Sequence, residues 1–128
     1  MMRAAVAVCA LSATPAVADI AQTALEFANC VGQADAYAQA ASVYGDVEVI
    51  KVATEAQFDA ILPHITDPAL AMAARAQGAK DWDRRADALL SNGGAMEGPA
   101  WDATVEATLA CERLRADLAS AGILEGAD

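Results

Sequence analysis

An all-α fold, a small up-and-down four-helix bundle with one disulfide between its first and last helices, is the architecture this sequence predicts. Three observations carry that expectation. Apolar residues recur at spacings of three and four through four successive segments, as in a helix that buries one face. Turn residues cluster at three places between those segments: Tyr44-Gly45-Asp46, Leu62 to Pro68, and Ser91 to Pro99. Cys30 and Cys111 stand near the middles of the first and last segments, so antiparallel packing of those two would bring them level.

A different kind of segment precedes the first helix. Arg3 is followed by an uncharged, Ala- and Val-rich stretch that ends in Pro15 and then Ala16-Val17-Ala18. A basic start, an apolar middle and small residues at the end are the parts of a cleavable signal peptide. We expect residues 1–18 to be that peptide, cut between Ala18 and Asp19, and residues 19–128 to form one domain. The apolar run is about 15 residues long, short of the roughly 20 that a membrane-spanning helix needs, so stable insertion is not expected. Cys9 as a lipid anchor is disfavoured, because Val6-Ala7-Val8 does not resemble a lipobox. Removing it leaves Cys30 and Cys111 alone, and an even count in the bacterial periplasm or outside the cell is the arithmetic of a disulfide. Closing a loop of that length stabilises a domain by about 4.5 kcal/mol in the chain-entropy account.

In the first segment Ile20, Ala24, Phe27, Val31, Ala34, Ala38 and Ala41 form the stripe, with Cys30 at its edge. The second begins ambiguously. Val47 to Val52 alternates like a half-buried strand, yet Val47, Ile50, Thr54, Phe58, Ile61 and Ile65 also fit one helical face, and no second strand is available for pairing. We expect a helix, with Thr54 and Gln57 at capping-box spacing as an alternative starting point. In the third, Met72, Ala76, Ala79, Trp82, Ala86 and Leu89 make the expected stripe, and Asp81 and Arg85 have the supportive four-residue spacing. The fourth runs from about Pro99 to Ser120, with Ala107, Cys111, Leu114 and Leu118 in one line and Trp101, Val105 and Leu109 in the next.

About a quarter of the residues are alanine, which favours helix without contributing much burial energy. The core is therefore expected to be thin. Without Arg3, seven basic residues remain against eighteen acidic ones, a formal charge near −11. That field repels nucleic acid and anionic lipid and favours cations or basic partners, although solubility alone accounts for it.

Catalytic patterns do not emerge. His64 is the one histidine, at a helix boundary where it can cap. With both mature cysteines committed to each other, a zinc site would have to be built from carboxylates, which is a poor one. Asp81-x-Asp83 and Asp102 with Glu106 have helical-surface spacing, not that of a calcium loop. No serine stands in a nucleophile elbow, no Cys-x-x-Cys occurs, and no glycine-rich phosphate cradle is present. We expect no cofactor. The most distinctive local feature is Lys80-Asp81-Trp82-Asp83-Arg84-Arg85, where Trp82, Arg84 and Arg85 are candidates for contact with a partner protein, set against a purely packing role for Trp82.

Ala28-Asn29-Cys30-Val31-Gly32, together with Ala110-Cys111-Glu112, resembles small exported alphaproteobacterial proteins of unknown function that carry one cysteine in the first helix and one in the last. That resemblance implies no activity and no site. The sequence thus leads to an exported helical module without a catalytic site, protein-binding or accessory in role. The alternative is a periplasmic protein that binds a small ligand or a cation.

Overall fold

The computed structural model describes residues 16–42, 45 and 47–126. Its elements are α1 (Ala16–Ala41), α2 (Val47–Ile61), a 3-10 turn (Leu62–His64), α3 (Pro68–Ser91) and α4 (Pro99–Ser120). Among the described residues there is no strand, and four α-helices make up the domain. Most of the expected signal peptide, residues 1–15, lies outside the described residues. The expected cut between Ala18 and Asp19 falls in the first turn of α1, ahead of the core, which begins at Ala24.

The Val47 to Val52 stretch is helical, so α2 starts at Val47 and not at Thr54. Thr54 does not cap. It is buried within the helix, and its hydroxyl donates to the Ile50 carbonyl at 2.7 Å, the local bond that lets a threonine hide inside a helix. The start of α3 has a true cap. Asp67 accepts from the Ala69 N–H at 2.9 Å, and Pro68 fills the first helical position, where no N–H is needed.

The first helix is the hub: α2, α3 and α4 each pack against it, α3 most extensively. This explains why α1 is buried beyond its expected stripe. Ala24, Phe27, Val31 and Ala38 are buried as the spacing predicts, but so are Ala28 and Cys30 at the two edges of that stripe and Ala36 on another side. From α2 the residues Phe58, Ile61 and Ile65 enter the same core, with Leu118 and Leu124 from the C-terminal end.

The expected α3 stripe is displaced. Met72 is exposed, and the residues of α3 that are buried are Ala71 and Gly78. The reason is backbone proximity. A Cβ on Gly32 of α1 would lie 1.7 Å from the Arg75 carbonyl oxygen, and one on Gly78 would lie 1.8 Å from that of Asn29. Only glycine at both positions lets the two helices touch backbone to backbone, so small residues outcompete Met72 for this face. As α1 advances from Asn29 to Gly32, its contacts on α3 retreat from Gly78 to Arg75, so the helices run in opposite senses at the crossing.

Cys30 and Cys111 are bonded, with Cα atoms 5.8 Å apart, and tie α1 to α4 as expected. At the end of α4, Gly122 adopts φ of 79°, the left-handed conformation that closes helices. Ile123 and Leu124 then donate back to the Leu118 carbonyl at 2.9 and 3.3 Å. The turn folds both side chains toward the core instead of into solvent.

Candidate functional site

Three neighbourhoods gather chemistry-bearing side chains. The first is a lock across three helices. Arg75 is the sole charged residue from Pro68 to Ala79, and it points inward to a bidentate pair with Asp35 of α1 at 2.6 and 2.9 Å. It also reaches Glu55 of α2 and lies 4.6 Å above the Phe58 ring. A planar guanidinium can serve all three at once: its fork meets a carboxylate and its face meets an aromatic. The two carboxylates, Asp35 above all, raise the affinity of Arg75 for its proton further. Sequence reading missed this residue, although a single charge inside an apolar stretch was the available signal.

The second is a polar chain along the α1–α3 seam. Arg85 donates to Gln33 at 2.6 Å, Gln33 to Asn29 at 2.8 Å, and Asn29 to Asp81 at 3.2 Å. Asp81 also accepts from Gln77 at 2.9 Å and pairs with Arg84. The expected Asp81 to Arg85 ion pair is replaced by this Asp81 to Arg84 pair, because Arg85 is drawn across to α1. With Arg84 as the main cause, followed by Gln77, Asp81 is held down to a pKa of about 2. No buried side-chain nitrogen or oxygen among the described residues lacks a hydrogen bond.

The three residues singled out as partner contacts divide between two environments. Trp82 is half-buried, meeting Tyr37 edge-on with ring centroids 6.3 Å apart at 70°. It shares a cleft of about 120 Å³ with Arg85, Gln33, Ala86, Leu89, Thr104 and Thr108. Arg84, one position away, faces solvent.

The third neighbourhood is a groove of about 460 Å³ between α2 and the C-terminal segment. Ala53, Ala56, Gln57 and Ala60 form one wall, Ile123 and Leu124 the other, with Arg115, Glu125 and Gly126 at the rim. It continues onto a second apolar face of α2, since Val49 and Val52, 67% and 66% exposed, share the helical line of Ala53, Ala56 and Ala60. The alternating valines that imitated a strand are thus the two apolar faces of one helix. Their outer line was the overlooked signal.

His64 is exposed in the 3-10 turn, away from these neighbourhoods. Among the described residues, no three His, Cys, Asp or Glu side chains come together as metal ligands would. None of the described helices is long and apolar enough to cross a membrane.

Fold and site together define a disulfide-tied, all-α domain with an open apolar groove. Comparison with known protein families, with characterised proteins and with solved structures found no match.

Proposed function

We propose that this chain is an exported helical module of the bacterial periplasm that works by docking a segment of another protein, not by catalysis. The observation that carries this reading is the outer face of α2. Helix α2 already buries Thr54, Phe58 and Ile61 against the core, yet it keeps Val49, Val52, Ala53, Ala56 and Ala60 in a second apolar line that opens into the groove. A helix with one task has one apolar stripe; a second stripe beside a groove is the form that helix-in-groove recognition takes. Small alanine side chains permit close approach, while Ile123 and Leu124 provide a wall.

Charge selects the kind of occupant. Glu48, Glu55 and Asp59 outnumber Lys51 among the exposed charges of α2, Glu125 and Arg115 balance at the rim, and the chain carries a formal charge of −10. An amphipathic segment with an apolar line and basic flanks complements that surface, and the opposite charge speeds its encounter. Export is supported by the leader-like start and by the Cys30–Cys111 bond, which persists in an oxidising compartment.

The docking test is a benzophenone amino acid in place of Ala56, irradiated in the native host, with Asp83 on α3 as the control position. A discrete adduct at position 56, carrying a protein with a basic amphipathic segment, is expected. No adduct there, or the same adducts from both positions, would sink the reading. Mass spectrometry of the native protein is expected to find Asp19 at the N-terminus; an intact Met1 would overturn export.

A further inference from the structure

Arg85 has an unusual position in so acidic a chain. Among the described arginines, Arg75, Arg84, Arg113 and Arg115 each have a carboxylate within 4.0 Å, and Arg85 has none. Its one side-chain bond runs to the Gln33 carbonyl oxygen at 2.6 Å, which leaves most of the five guanidinium donors free. Burial pulls its pKa below the ordinary arginine value, the sign of a cation without full compensation. Asp81, the acid whose field does reach Arg85, is already engaged by Arg84, Gln77 and Asn29.

The surroundings of Arg85 suit a ligand. Trp82 and Leu89 give the cleft apolar walls, Thr104 and Thr108 line it from α4, and Gln33 lines it from α1. The two threonine hydroxyls donate to the Ala100 and Thr104 carbonyls, each at 3.0 Å, which fixes their side chains in place. A volume of about 120 Å³ is well below the roughly 300–1,000 Å³ of pockets for larger ligands, so only a small molecule fits. A guanidinium fork recognises planar carboxylates bidentately, and the Trp82 indole offers a flat neighbour for an apolar body.

We infer that the cleft between α1, α3 and α4 binds a small organic carboxylate, with Arg85 holding the carboxylate and Trp82 its apolar part. The site is separate from the α2 groove and does not depend on it. Anion entry works against a formal charge of −10, a repulsion screened over about 8 Å at physiological salt, so the local donor decides the outcome there.

The test is a titration with benzoate at physiological ionic strength, followed by NMR at the Trp82 indole N–H, assigned with a Trp101→Phe variant. A saturable shift is expected with benzoate and none with benzyl alcohol, which has the ring without the charge. Arg85→Gln is expected to weaken binding about tenfold or more, the loss of a charge-assisted pair. Thr108→Leu fills the cleft without touching Arg85 and is expected to abolish the shift, which keeps the test decisive if Arg85→Gln does not fold. No saturable benzoate shift, an equal response to benzyl alcohol, or undiminished binding in either variant would overturn the inference.

Discussion

Gly78 of α3 rests against the carbonyl of Asn29 in α1, so closely that a Cβ there would stand 1.8 Å from the oxygen. Gly32 makes the reciprocal contact with the Arg75 carbonyl. Alanine at either position would gain about 1 kcal/mol of helix propensity. The clash is with backbone, which cannot rotate away, and overpacking of this kind costs about 3 kcal/mol or more. We expect Gly78→Ala and Gly32→Ala to destabilise the domain in urea unfolding; a neutral or stabilising result would mean that the helices separate without loss.

Arg75→Met removes the bond to Asp35 and the contact with Glu55 while keeping apolar volume over Phe58. The pair is only half-buried, with Asp35 37% and Glu55 60% exposed. Water can take over both carboxylates, so the loss expected is about 1–2 kcal/mol, between that of a surface pair and a buried one. Arg75→Lys should recover only part, since an ammonium cannot fork across a carboxylate. A double-mutant cycle with Asp35→Asn measures the pair directly, and a coupling near zero would assign the loss to packing.

Reduction of the Cys30–Cys111 bond reopens a loop with a sequence separation of 81. Losing about 4.5 kcal/mol of stabilisation is expected to lower the melting temperature by more than ~10 °C. Hydrogen exchange should accelerate first in α4, which packs less extensively on α1 than α3 does. An unchanged melt after confirmed reduction would show that helix packing suffices without the bond.

Acid stability should reflect Asp81. Its folded pKa of about 2 lies below the ordinary 3.8, so its contribution is complete above pH 3.8 and is lost as pH falls toward 2. Asp81→Asn is expected to reduce stability at neutral pH and to flatten this part of the acid limb in pH-dependent unfolding. The same acid limb in variant and parent would remove Asp81 as its source.

How far the residues alone could be read differs from one helix to the next. In α2 the start was ambiguous between strand and helix, but Phe58 and Ile61 marked the buried face, because large apolar side chains at helical spacing have one economical place to go. In α3 the same reasoning placed Met72 inward, and the structure leaves it exposed. Where a helix consists mostly of alanine, several faces bury nearly equal area, and the choice passes to whichever face allows the closest backbone approach. Trp82 and Arg85 were singled out together, but not their separation from Arg84, which depends on α1 standing beside one side of α3 only.

Local spacing was therefore enough to point to the helical class and the four segments, since each depends on neighbours along the chain. The pairing of Cys30 with Cys111 was an expectation that rested on Cys9 leaving with a signal peptide, and it is shown by the structure itself. Packing alone decided that α1 is the hub, that Gly32 and Gly78 meet opposing carbonyls, that Arg75 joins three helices, and that Arg85 stands in a cleft without a carboxylate. These relationships join residues far apart in the chain, 20 positions in Glu55–Arg75, 40 in Asp35–Arg75 and 52 in Gln33–Arg85. No periodicity encodes them, because they arise only when two helix surfaces are brought together at a particular depth and angle.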